Sequence, residues 1–314
     1  MRQSTPNIHW RGVLKMKTKT SKLLAIFFIL VFVSFVIFAQ EALSQSQKGF
    51  IWRVQSKTNT VYVLGSLHYS KKEIYPLSEK IEKAFGQSEV LVVEADINDI
   101  KKVDIQKLME LAFYPENDTL EKHVSPEIYE LVKKETSGLG IPVELINKQR
   151  PWFLAMTLEA LESLKLGFDP NYGIDKYFLS KADGKKRILE LESIDYQLNL
   201  LSSFSDKDQE LLLLYILRDL RLLEQELEHL SKAWTSGDTK SMESILTRSV
   251  SEDNRFASIL EKLIYERNRE MVSKIEYYLK EKETYFVIVG AGHLVGNRGI
   301  IEILNGKGYL VEQL

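Results

Sequence analysis

Val61-Tyr62-Val63-Leu64-Gly65-Ser66-Leu67-His68 is matched in kind, more than two hundred residues later, by Phe286-Val287-Ile288-Val289-Gly290-Ala291-Gly292-His293. Each stretch is an apolar strand followed by Gly-x-x-His, and a helical pattern follows each. The runs lack polar alternation, which fits strands covered on both faces of a sheet. Four more segments, 50–54, 89–95, 187–191 and 309–313, read as strands beside 60–65 and 285–290. Lys57-Thr58-Asn59 reads as the hairpin turn between the first two. Helical spacing fills 77–85, 126–135, 151–166, 174–182, 206–233, 240–247 and 251–280, with Pro126 and Pro151 where a first turn tolerates proline. The expected fold is α/β: a mixed central sheet covered by helices, built from two similar strand–Gly-x-x-His–helix halves with a helical insertion.

Residues 1–39 differ in kind. Arg2, Arg11, Lys15, Lys17, Lys19 and Lys22 precede an uncharged apolar run over 23–39, the pattern of an export signal or a short membrane anchor. A start at Met16 gives a shorter basic flank. Under either reading, residues 40–314 form one domain outside the cytoplasm, periplasmic or extracellular. Removing the leader takes six positive charges and no negative ones, so the net charge moves from -2 to -8. That disfavours nucleic acid as a partner. The membrane enters only through the leader, if it stays uncleaved.

There are no cysteines, which excludes thiolate nucleophiles, iron–sulfur clusters and Cys-type zinc sites. Any metal must be held by His, Asp, Glu or main-chain oxygen. His68 and His293 leave the sheet at its C-terminal edge, where open α/β sheets bind ligands, and glycine three residues earlier permits close approach there. Two other strands end in acids, at Glu94 and at Glu192. Two imidazoles with one or two carboxylates are a donor set for a divalent ion with open positions. His123 and His229 lack such context and read as ordinary surface or helix residues. Gly290-Ala291-Gly292-His293-Leu294-Val295-Gly296 is not a dinucleotide loop, because its third glycine falls one position late. Walker, His-Glu-x-x-His and Gly-x-Ser-x-Gly motifs are absent.

Further elements occur in order: Arg150-Pro151-Trp152, Gly173-Ile174-Asp175, Leu191-Glu192-Ser193 with Gln197, and Arg267-Asn268. With the two Gly-x-x-His strands and Glu94, this series resembles the TraB/GumN family, which includes the eukaryotic Tiki proteins. The resemblance runs from about Phe50 to the C-terminus. It implies an architecture shared with erythromycin-esterase-like hydrolases and haem-binding lipoproteins. It also implies a metal-dependent hydrolase, in Tiki-like members a peptidase using manganese or cobalt, with zinc a further option. His68, Glu94 and His293 then hold the ion or the attacking water, and Glu192 is a second ligand or general base. Arg267 faces the developing charge of a substrate carbonyl, and Arg150 and Asp175 brace the shell through an ion pair. The expected substrate is a peptide or small molecule. The alternatives are a binding protein that uses the same cleft for haem, a peptide or a signal molecule, and an anchored interaction module. The latter would use the leucine-rich 206–233 segment, which also leaves a homo-oligomer open.

Overall fold

The computed structural model describes residues 49–98 and 104–314. The leader and its processing lie outside the described residues. Six strands form one mixed sheet in the order β4-β3-β5-β2-β1-β6. They are β1 (Ile51–Gln55), β2 (Thr60–Ser66), β3 (Val90–Val93), β4 (Arg187–Glu190), β5 (Tyr285–Gly290) and β6 (Leu310–Gln313). All six expected strands are present. β1 is antiparallel to both neighbours, closing the expected hairpin through Ser56 to Asn59. β2, β5, β3 and β4 run parallel to one another, so their C-terminal ends share one edge.

The composition of the strands explains their positions. Val90–Val93 is buried at every residue, as a parallel strand covered on both faces must be. β5 lies between β2 and β3, which places the two Gly-x-x-His strands side by side with Ser66 opposite Gly290. The chain order reverses there, the switch point at which such sheets open a crevice. The core under the sheet gathers Phe50, Leu64, Phe85, Phe178, Phe286 and Ile275, among others.

Helix Ile174–Ala182 falls where the spacing places it. The 206–233 segment does not form one helix. It divides into Asp206–Asp219 and Leu223–Ser236 around a turn at Leu220 to Leu222. The reason is a division of labour. Leu213 and Leu217 pack in a second, wholly helical core with Leu154 and Leu158, whereas Ala233 and Trp234 reach the sheet core. No single straight helix serves both. The 251–280 segment is likewise interrupted, first near Asp253 and then by a π-helical stretch, Glu261–Glu266, that re-phases the chain before helix Arg267–Tyr278. Phe256 and Ile259 pack with Phe204 before it, and Met271 and Ile275 pack on the sheet core after it. Ile105–Ala112 and Ile194–Ser202 are among the helices that escape the periodic reading, the first burying only Ala112 and the second no residue fully. They are tied through Lys107 and Asp195, 3.0 Å apart.

Residues 48–314 form a compact unit. Among the described residues, no helix is long and apolar enough to cross a membrane.

Candidate active site

The parallel edge delivers four side chains from four adjacent strands: Glu192 beyond β4, Glu94 beyond β3, His293 beyond β5 and His68 beyond β2. Three of them, Glu94, His293 and His68, meet at Gly290. A Cβ built there would lie 3.3 Å from Glu94 Oε1, 3.5 Å from His293 Cδ2 and 3.9 Å from His68 Nε2. Its N–H donates to Glu94 Oε1 at 2.6 Å. Gly65 serves the same approach from the other strand. A Cβ on it would come within 2.5 Å of Phe50 and 3.1 Å of Ala291 Cα. Gly65→Ala is therefore expected to destabilise by about 1–3 kcal/mol through overpacking. Gly86→Ala, in helix Glu79–Gln87 with nothing within 4 Å, should instead stabilise by a few tenths to about 1 kcal/mol. Urea unfolding of the two variants compares them directly.

Each imidazole is oriented through Nδ1. His68 Nδ1 lies 3.0 Å from Asp175 Oδ2, in the first turn of helix Ile174–Ala182. That helix starts close under the loop, since Ile174 N–H donates to the Leu67 carbonyl at 3.0 Å. His293 Nδ1 lies 2.6 Å from Asn268 Oδ1, and the Asn268 amide donates to the Arg298 carbonyl at 2.8 Å. This second bond sets which way the amide faces. His293 must then donate from Nδ1, which leaves the Nε2 lone pair toward Glu94 Oε1, 3.7 Å away.

Arg267 brackets the two acids. Its Nε and Nη2 donate to both oxygens of Glu192 at 2.8 Å, and Nη2 also reaches Glu94 Oε2 at 2.7 Å. Nη1 donates to the Leu263 carbonyl within the π-helical stretch. All three nitrogens are engaged and the residue is buried, so Arg267 holds carboxylates rather than facing an open substrate oxygen. Gln197 adds donors to Glu94 Oε2 at 3.2 Å and Glu192 Oε2 at 3.0 Å. The expected Arg150–Asp175 ion pair does not form. Asp175 is taken by His68, and the Arg150 guanidinium lies 4.8 Å over the Tyr114 ring, with Nε buried and unpartnered. A cation–π contact at the start of helix Pro151–Lys165 keeps it there.

The electrostatics separate the two histidines. Burial, opposed by Glu94 and reinforced by Arg267, lowers His293 to about 4, so it is neutral near pH 7. The Asp175 carboxylate, against a desolvation that works the other way, raises His68 to about 9. Yet the His68 side chain is 63% exposed, so water screens part of that attraction. Burial works to raise the Glu94 carboxyl, but His293, Arg267, His68 and the Gly290 N–H outweigh it, and it falls to about 2.

Among the described residues, no three His, Asp or Glu side chains stand close enough together to hold a metal ion. The donor chemistry nevertheless fits a divalent ion. Both imidazoles are fixed through Nδ1 by an oxygen, as metal-bound histidines usually are, and Glu94 Oε1 lies 3.7 Å from His293 Nε2. Gln197 and Asn268 stand in the motif series without a role, and the structure puts both against site side chains. His123 stacks on Tyr114 and pairs with Asp118, away from the crevice, and His229 is exposed on its helix.

The protein named YbaP of Escherichia coli is 27% identical over 247 residues, covering 77% of this chain and 87% of its own length. The Metalloprotease TIKI1 of Danio rerio is 23% identical over 317 residues, 84% of this chain. The Metalloprotease TIKI homolog of Amphimedon queenslandica is 22% identical over 323 residues, 86% of this chain. The matched region spans 63% and 62% of those two proteins. No solved structure matches the chain. The sequence model of the TraB/PrgY/gumN family covers residues 50–313, from the first strand to the last, and the chain belongs to that family.

Proposed function

We propose that the protein is a metal-dependent hydrolase that cleaves peptides, working outside the cytoplasm behind its basic, apolar leader. The observation that carries the reading is the pair of Nδ1-anchored imidazoles converging with Glu94 on Gly290. The kinship with proteins named metalloproteases supports it. His68, His293 and Glu94 would hold a divalent ion, manganese or cobalt before zinc, and such an ion acidifies water and polarises a carbonyl.

The chain's own residues prepare that chemistry. Asn268 keeps His293 in the tautomer with its lone pair on Nε2. Asp175 orients His68 through Nδ1, which leaves Nε2 for the ion. Arg267 and Gln197 lock Glu94 and Glu192 in place and offset their charge. Gly290 N–H fixes the second oxygen of Glu94, so the carboxylate cannot rotate away. Glu192 is the general base or a further ligand, held by Arg267 through both oxygens.

Metal content of the purified full chain, beside a His68→Ala/His293→Ala variant, tests the reading. Stoichiometric divalent metal in the wild type, none in the folded variant, and peptide turnover lost on chelation are expected. No metal in the wild type after reloading, with no turnover, would instead favour a ligand-binding protein. Asn268→Ala gives a finer check. It should weaken divalent-ion affinity about 10–100-fold by freeing the His293 ring, read by competition with a chelating dye.

A further inference from the structure

A cavity of about 460 Å³ lies against the back of helix Arg267–Tyr278. The helix serves the active site through Arg267 and Asn268, and the cavity through Arg269, Val272 and Ser273. At about 100° per residue, Arg269 and Ser273 project about 200° and about 240° around the helix from Arg267. The helix therefore separates the cavity from the cluster of Arg267, Glu94 and Glu192. Asn268 lies between the two faces. Its oxygen holds His293 at 2.6 Å, and its amide donates to the Arg298 carbonyl at 2.8 Å.

Three cations from three segments face this one space: Arg269, Arg298 and Lys307. Among the described residues, no acidic side chain lines it. The acids that pair with these cations, Glu261 and Glu276, lie outside the lining and leave donors free. Glu261 takes one N–H from each terminal nitrogen of Arg298, both at 2.7 Å. Three of the five N–H groups of a guanidinium then remain. That fork, and the Tyr265 ring 4.0 Å away, fix the Arg298 head in place. Lys307 meets Glu276 at 3.0 Å, and an ammonium has further N–H groups to give. Anchored cations with spare donors and no acid among them suit a compact dianion better than a single carboxylate. The cavity falls in the size range of small-molecule sites, and Val272 and Ile303 supply an apolar part of its wall.

We propose that this cavity binds a small phosphate monoester. Its phosphoryl oxygens lie between Arg269, Arg298 and Lys307, and its organic group lies against Val272 and Ile303. The ligand is a separate molecule from the peptide substrate, because the intervening helix keeps it from the reacting atoms. The assignment does not depend on the hydrolase reading.

Binding is measured directly. The metal-free full chain is titrated calorimetrically at low salt with phenyl phosphate, benzoate and inorganic phosphate. Phenyl phosphate is expected to bind about tenfold more tightly than benzoate, the scale of one further charge-assisted hydrogen bond. Arg269→Gln/Lys307→Gln should weaken phenyl phosphate by about tenfold or more, and His68→Ala should leave it unchanged. Inorganic phosphate binding as tightly as phenyl phosphate would keep an anion site and overturn the ester. Benzoate binding as tightly, or no binding at millimolar concentration, would overturn the proposal. So would full affinity in Arg269→Gln/Lys307→Gln, or loss of binding in His68→Ala, which would move the ligand to the active site. Circular dichroism confirms that the variants fold, as exposed positions allow. Binding as expected in a protein without metal or turnover would sink the hydrolase reading alone.

Discussion

Arg267→Ala is expected to destabilise the protein by about 3–5 kcal/mol, the cost of removing one partner from a buried ion pair. Arg267, Glu94 and the Glu192 side chain are all shielded from water, with 10%, 9% and 7% of their side chains exposed. Alanine leaves two carboxylates facing each other, bridged only by Gln197. They must then take up a proton or admit water, and either route weakens the native state. Arg267→Lys should recover only part of the loss, because an ammonium cannot form the forked contact with Glu192 while reaching Glu94. Arg267→Met with Glu94→Gln and Glu192→Gln should be more stable than Arg267→Ala, since no unpaired charge remains. Urea unfolding of these variants decides the matter. A loss below about 1 kcal/mol for Arg267→Ala would place the bracket among weak surface-like pairs.

The largest effect on activity is expected at the histidines. In His68→Ala and in His293→Ala, peptide turnover should fall by about a thousandfold or more, the range for losing a group that activates the attacking water. Both also carry a cost in stability. His68 is itself exposed, but its removal strands the buried Asp175 carboxylate, a loss of about 1–3 kcal/mol. His293 is buried, and its removal strands Asn268 Oδ1, which costs about 1–3 kcal/mol. Differential scanning calorimetry beside a peptide-cleavage assay separates the cases. Full activity in His68→Ala would refute the role given to that residue, whatever its stability.

The sequence exposes the paired histidines unusually well. Their signal lies in one chain segment each, a strand with Gly-x-x-His, and the parallel register then places Ser66 beside Gly290 as the repeat implies. Glu94 and Glu192 are legible for the same reason, as polar ends of apolar runs. Arg150 is not. Its motif series gives no direction, and the cation–π contact with Tyr114 depends on a turn some thirty-five residues earlier in the chain.

The sequence alone determined the strands, the Gly-x-x-His ends and their acids, because strand content and strand ends depend on short-range apolar patterning and on backbone room at glycine. Only the tertiary structure decided how those ends divide their work. It split the leucine-rich segment between two cores and interrupted the later helix to seat Arg267. It also gave Arg267 to two carboxylates and Asp175 to His68, because partners for buried charge are chosen by distance in space, which no local spacing records.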